Sequence, residues 1–391
     1  MTGPEDPVPS GVGAGRAEPA SSATPSARGA AVAGAAASTD VEPGPEAAPR
    51  IVVLAGGVGG AKFTVGVREA ARRCWPDGAG GTRARITVIA NTGDDLWLSG
   101  LRLQPDVDSM VYALAGVNDT ARGWGRAGES ERTAAELHAW GAGWPWFTLG
   151  DLDLGTHIAR TGWLHEGATV TEVVARLASR WPVGVALLPM TDTEVDTHVD
   201  TALGRMHFQE WWTRHRATVP AQRFDNPRIE RATPAPGVVE AIVAADAVLF
   251  APSNPVVSLG PILAVPGLAA AVRAASGRVV GVSPIIAGSP VRGMADACLA
   301  AVGLPPTADA VGRHYGPRAT GGLLDAWLIA EEDAPLAPDL EARGLPAPVH
   351  PLWMRDLDTA AALAAAALGE ALGESPGLFP AVPREAQRPR P

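Results

Sequence analysis

Short continuous apolar runs alternate along the chain with longer stretches whose apolar residues recur at helical spacing, the pattern of a parallel sheet with crossover helices. Residues 51–55 (IVVLA) are too β-branched and continuous for an amphipathic helix and run directly into glycines, which predicts the first strand. Residues 85–90 (RITVIA) predict a second. Between them, the apolar positions of residues 63–73 recur at helical spacing and complete a βαβ unit. Later runs at 183–188, 247–250 and 278–282 predict further strands, and the last two each run into a Pro/Ser/Gly loop. Residues 322–370 read as helical at both ends, with 359–372 an alanine-rich closing helix.

These elements divide the chain. Residues 1–48 are dominated by Ala, Gly, Pro, Ser and Glu and have too few large apolar side chains to offset the entropy of ordering, so they predict a disordered tail, as do residues 375–391. Between the tails, 49–374 predict one α/β domain. Its sheet-forming core spans about 49–118 and 236–330, with a C-terminal helical part at about 331–374. Residues 119–235, rich in Trp, His, Arg and Asp, form an inserted smaller region with longer irregular connections.

Composition narrows the function. The 391 residues are 46% hydrophobic and carry a formal charge of -10, with no arginine-rich face interleaved with aromatics, so nucleic acid is not an expected partner. Cys74 and Cys298 form neither a C-x-x-C pair nor a zinc cluster with the histidines. No apolar run is long enough to cross a membrane and the N-terminus lacks the order of a signal peptide, so the expected location is cytoplasmic, away from membranes. Nearly all basic residues are arginine; the single lysine is Lys62.

That lysine ends a glycine-rich loop, Gly56-Gly57-Val58-Gly59-Gly60-Ala61-Lys62, which follows a strand and opens a helix, where backbone N–H groups and the helix dipole favour an anion. It is not a P-loop, because Lys62 precedes Phe63 rather than Ser or Thr. Nor does it fit the dinucleotide fingerprint, which needs a third glycine where Lys62 stands and an acid where Asn91 stands. A compact ammonium suits a phosphate packed near backbone. Four carboxylates follow the second strand within Asn91-Thr92-Gly93-Asp94-Asp95 and Pro105-Asp106-Val107-Asp108. Acids at a strand end beside a phosphate loop suit Mg²⁺, with Asp94, Asp95 and Asp108 as expected ligands and Asp94 or Asp95 as candidate general base. The plain alternative makes Asp94 a turn residue and Asp106 or Asp108 a helix N-cap. Asp192, Glu194, Asp196, His198 and Asp200 alternate, which fits the solvated face of an edge strand better than a second metal or substrate site, and His207 fits a packed histidine better than a base. Ser253, Asn254 and Ser283 lie in strand-end loops on the same expected rim, where they could contact a base or ribose.

Taken in order, these motifs, with Leu96-Trp97, Leu149-Gly150-Asp151, Thr156-His157, Leu188-Pro189-Met190, Met206-His207-Phe208-Gln209, Pro252-Ser253-Asn254-Pro255 and Ser283-Pro284-Ile285-Ile286, resemble the 2-phospho-L-lactate transferase family from about residue 51 to at least Tyr315. The resemblance implies a Rossmann-like core with an inserted region, a homodimer and Mg²⁺. It also implies transfer of a phosphoester group from a guanosine diphosphate conjugate to the terminal ribityl hydroxyl of a deazaflavin precursor, 7,8-didemethyl-8-hydroxy-5-deazariboflavin, with release of GMP, in coenzyme F-420 biosynthesis. Catalysis would come from Lys62, Asp94 and Asp95, and donor contacts from the glycine loop with Ser253, Asn254 and Ser283. Asp108 falls on the acid that contacts the deazaflavin precursor, and Thr148 stands where some members have a contacting lysine. The high-GC composition favours an enolpyruvyl over a lactyl donor. A regulatory branch of the same superfamily, which binds a nucleotide sugar without catalysis, and a Rossmann oxidoreductase are the alternatives; Pro252-Ser253-Asn254-Pro255 in place of a Gly-Pro-Gly-Ser loop favours the transferase.

Overall fold

The structure, a computed structural model, describes residues 48–373. Both expected tails lie outside these residues except for Ala48, which packs against the core instead of belonging to a tail. Six strands, β1 (Arg50–Ala55), β2 (Arg85–Ala90), β3 (Ala186–Pro189), β4 (Ala247–Phe250), β5 (Arg278–Val282) and β6 (Ala326–Leu328), form one sheet. Its order is β6-β5-β4-β1-β2-β3, with every pairing parallel. Read from the other edge this is 3-2-1-4-5-6, the doubly wound Rossmann order.

The continuous apolar runs follow from burial on both faces. In β1, Ile51 and Val53 enter one core and Val52 and Leu54 the other, as the two-residue period of a strand requires. Four helices matter for the site: α1 (Gly57–Cys74), α2 (Pro105–Ala115), α3 (Asp151–His165) and α4 (Leu357–Leu372). The alanine-rich α4 lies close on α1, where a Cβ on Gly66 would stand 2.4 Å from the Ala360 carbonyl oxygen. It starts at a capping box formed by Asp356 and Thr359.

Three boundaries differ from the expectation. α1 begins at Gly57, so most of the glycine run is its first turn rather than a loop before it. Residues 326–328 are the sixth strand, in a stretch expected to be helical; a three-residue run is too short to show a period, and its burial decides it. Within 119–235, β3 belongs to the central sheet. The rest of that span forms helices, including α3 and 170–179, and an antiparallel sheet of strands 198–201, 204–207 and 221–225. Residues 198–201 are the middle strand of that sheet, not an edge.

Candidate active site

Because all six strands are parallel, the loops leaving β1, β2, β3, β4 and β5 emerge on one rim. β1 and β4 are neighbours, but the chain leaves them towards opposite edges, which opens a crevice at this switch point. Ser253, after β4, spans it, accepting the Gly56 N–H at 3.1 Å and donating to the Gly56 carbonyl at 2.7 Å. The glycines are fitted to this closeness. A Cβ on Gly60 would meet Ser253 Oγ at 2.5 Å, one on Gly59 the Pro252 carbonyl at 3.0 Å, and one on Gly56 Asp106 Oδ2 at 2.5 Å. Gly57 differs: its φ is +66°, and nothing lies within 4 Å of where its Cβ would be. Packing therefore accounts for three glycines and leaves Gly57 facing open space.

Asn91, where a dinucleotide site would carry an acid, ties the loops together. Its amide donates to Asp106 Oδ2 at 2.8 Å and to the Val257 carbonyl at 3.2 Å, and its Oδ1 accepts the Gly93 N–H at 2.9 Å. Asp106, in the first turn of α2, also accepts the Gly57 N–H, and burial pushes its carboxyl up to about 6. Asp94 lies in a turn and accepts from the side-chain amide nitrogen of Gln209, which stands 2.8 Å from each of its carboxylate oxygens. Burial first, and then the charge of Asp106, hold its carboxyl well above the ordinary range. Asp95 is pushed up to about 8 by burial, against the pull of Arg102 and Gln104. Its Oδ2 accepts from Gln104 at 2.7 Å, while its buried Oδ1 has no hydrogen-bond partner.

Asp108 faces a different network. Arg160 of α3 donates through Nη2 to Asp108 Oδ1 and through Nη1 to the Arg102 carbonyl, at 3.2 Å, and to His157 Nδ1, at 2.9 Å. A guanidinium can only donate, so Nδ1 is the acceptor and the His157 proton sits on Nε2, which faces Asp153 Oδ2 at 3.5 Å. Tyr112 donates to the other oxygen of Asp153 at 2.6 Å. Burial pushes the Asp108 carboxyl up, and the Arg160 guanidinium pulls it back. Asp108 Oδ2 is left buried without a partner.

The expected metal trio of Asp94, Asp95 and Asp108 is thus divided among three sets of partners. Among the described residues, the side chains close enough to hold one ion together are Asp108, Asp153 and His157, whose ligand atoms lie within 4.8 Å of one another. Arg160 already pairs with Asp108 inside that group, which makes it a partly compensated network and a poorer cation site. Asp95 has Arg102 beside it, whereas Asp94 has no ion pair among the described residues. Asp94, next to Asp106, is the carboxylate whose surroundings favour a divalent cation.

The remaining candidates are placed as follows. Lys62 is exposed on the second turn of α1, in a small, open surface cleft that it shares with Ser109, Tyr112 and Trp124. Thr148 is half-buried just before α3. Asn254 caps its own turn through the Val256 and Val257 N–H groups, and Ser283 bonds both ways with Ile285, so these side chains are engaged within the protein. His207 accepts the Gln209 N–H on Nδ1 and faces the Asp95 carbonyl with Nε2 at 3.1 Å; burial lowers it to about 4, which makes it a neutral, packed histidine. The alternating acids also have separate partners: Asp192 holds Thr171, Glu194 accepts from Trp97, Asp196 pairs with Arg102 and Asp200 with Arg205.

Gln209, Arg160, Asp153 and Tyr112 were not among the expected site residues. The signal for the α3 group was present: Asp153, Thr156, His157, Arg160 and Thr161 follow the helical period but occupy its buried face, where an amphipathic helix carries apolar residues.

Residues 51–344 match the family model described as 2-phospho-L-lactate transferase CofD. A Nocardia farcinica protein named phosphoenolpyruvate transferase is 47% identical over 331 residues, covering 83% of this chain and 95% of its own length. One of the same name from Streptomyces griseus is 50% identical over 323 residues, covering 82% and 97%. Two crystal structures of a Bacillus halodurans protein, one of them described as a member of the UPF0052 family, superpose with TM-scores of 0.52 and 0.53 at 18% and 17% identity, over 82% of this chain and 99% of theirs, a likeness of fold. Among the described residues, no helix is long and apolar enough to cross a membrane.

Proposed function

Because this chain belongs to the 2-phospho-L-lactate transferase CofD family, and is a transferase of coenzyme F-420 biosynthesis, we propose that it moves an enolpyruvyl-phospho group from a guanosine diphosphate conjugate to the deazaflavin precursor. The ribityl hydroxyl oxygen bonds to the phosphorus that bears the enolpyruvyl group, the bond from that phosphorus to the bridging oxygen breaks, and GMP leaves. The hydroxyl proton passes to a carboxylate or to water. The name shared by the actinobacterial relatives supports enolpyruvate over lactate as the three-carbon group.

The observation that carries this reading is the crevice at the switch point, where Gly57 faces open space at the start of α1 and the buried pair of Asp94 and Asp106 stands beside it. Phosphoryl transfer needs positioning and charge neutralisation more than a strong base. Helix α1 and Lys62 suit the donor's diphosphate. Mg²⁺ is the expected cofactor; Asp94 with Asp106 would hold it, and it would supply charge neutralisation on the phosphate oxygens. Asp95 remains the candidate base and Asp108 the contact for the acceptor. A homodimer working in the cytoplasm belongs to the same reading.

Calorimetric titration tests the donor assignment. GDP with Mg²⁺ should bind, while NAD(P) and nucleotide sugars should not. Tight NAD(P) binding without GDP binding would overturn it.

A further inference from the structure

Arg160 is completely buried, an unusual position for an arginine, and it reaches Asp108 across the interface of α2 and α3. Its fork is fixed from behind. Nη1 lies between the Arg102 carbonyl and His157 Nδ1, and His157 is in turn oriented by Asp153, which Tyr112 holds. The arrangement occupies one oxygen of Asp108 and leaves the other, Oδ2, buried and without a hydrogen-bond partner, with the unprotonated His157 Nδ1 3.7 Å away. A buried acceptor in this state lacks a hydrogen bond that a ligand hydroxyl can supply. Ser109, the next residue, and Tyr112 both line the cleft that contains Lys62, so the network lies directly behind a surface open to ligands.

We propose that Arg160 is a positioning residue for the acceptor: its guanidinium holds the Asp108 carboxylate in one orientation, with Oδ2 reserved for a hydroxyl of the deazaflavin precursor. This rests on the reading of Asp108 as the acceptor contact. Arg160 itself touches no substrate. Its effect is confined to the acceptor because the donor's expected contacts, at Gly57 and Lys62, belong to α1.

The test compares Arg160→Met and Arg160→Lys with the wild-type chain, with rates normalised to folded protein. Binding of the deazaflavin precursor is followed by its own fluorescence, and GDP binding by calorimetry. Arg160→Met should weaken precursor binding by about thirtyfold or more while GDP affinity stays within about threefold. Arg160→Lys, which keeps the charge but loses the two-pronged fork, should recover part of that loss. Equal losses for precursor and GDP, or unchanged precursor binding in Arg160→Met, would overturn the proposal. If Arg160→Met does not fold, Arg160→Lys decides: precursor binding weakened with GDP binding retained supports it, and unchanged precursor binding refutes it. Asp108→Asn separates the two levels. Unchanged precursor binding in that variant removes the acceptor role of Asp108 itself, whereas weakened binding there with a normal Arg160→Met refutes the positioning role alone.

Discussion

The side-chain amide nitrogen of Gln209 donates to Asp94, standing 2.8 Å from each of its two carboxylate oxygens, although 115 positions separate the residues. The segment between strands 204–207 and 221–225 of the antiparallel sheet thus holds an acid of the central sheet's rim, and it does so where Asp106 adds a second negative charge. Replacing Gln209 by Leu removes this donor from a buried acceptor and should cost about 1–3 kcal/mol, measured by urea unfolding. Mg²⁺ should restore more stability to Gln209→Leu than to the wild-type protein, because the unsatisfied carboxylate is the group a cation would neutralise. Equal stabilisation of both proteins would remove Asp94 from the metal site.

Lys62 is the only lysine, so amine-selective labelling has one side-chain target. GDP with Mg²⁺ should slow its modification, whereas the deazaflavin precursor alone should not. Lys62→Ala should weaken donor binding by about tenfold, and Lys62→Arg should recover part of this, since a planar fork is bulkier than an ammonium against the first turn of α1. Unchanged labelling at saturating GDP would make Lys62 a solvated helix residue.

Gly60 and Gly57 separate packing from ligand space. Gly60→Ala drives a methyl group into Ser253 Oγ and should cost about 1–3 kcal/mol of stability. Gly57→Ala meets no atom but has to adopt a φ of +66°, so it should cost about 1 kcal/mol, with a larger proportional loss of donor affinity. Thermal unfolding and GDP titration of both variants check this.

The ligand-free protein should lose stability between pH 6.5 and 8. Asp95 is held at about 8 when folded but ionises near 3.8 in the unfolded chain, so across this window the folded state binds more protons and rising pH favours unfolding. His207 has the opposite sign, with a folded value of about 4 against an ordinary 6.5, so its contribution rises with pH and is essentially complete above 6.5. Asp95 therefore acts in the upper window by about 1–2 kcal/mol, with Asp94, whose carboxyl burial also raises, contributing in the same direction. Thermal midpoints should fall across this range in the wild-type protein and stay flatter in Asp95→Asn; identical slopes would contradict the burial argument.

What the sequence revealed was local. β1, β2, the glycine run and the acids after β2 were legible because each is a contiguous pattern, and the parallel order then places their loops on one rim. β6 was not, since Ala326-Trp327-Leu328 is shorter than any period. The partners of the acids were also hidden. Nothing near Asp94 in the chain points to Gln209, and Arg160 meets Asp108 only because α3 packs beside α2. Three carboxylates clustered in sequence thus acquired three different environments from residues far along the chain.

The most direct measurement is a mass-resolved turnover assay with purified deazaflavin precursor, Mg²⁺ and each guanosine diphosphate conjugate. The account predicts GMP and the phosphoester product in equal amounts from the enolpyruvyl donor, less from the lactyl donor, and neither when EDTA is present. Absence of GMP and product with both donors, from protein that is folded and supplied with Mg²⁺, would contradict it.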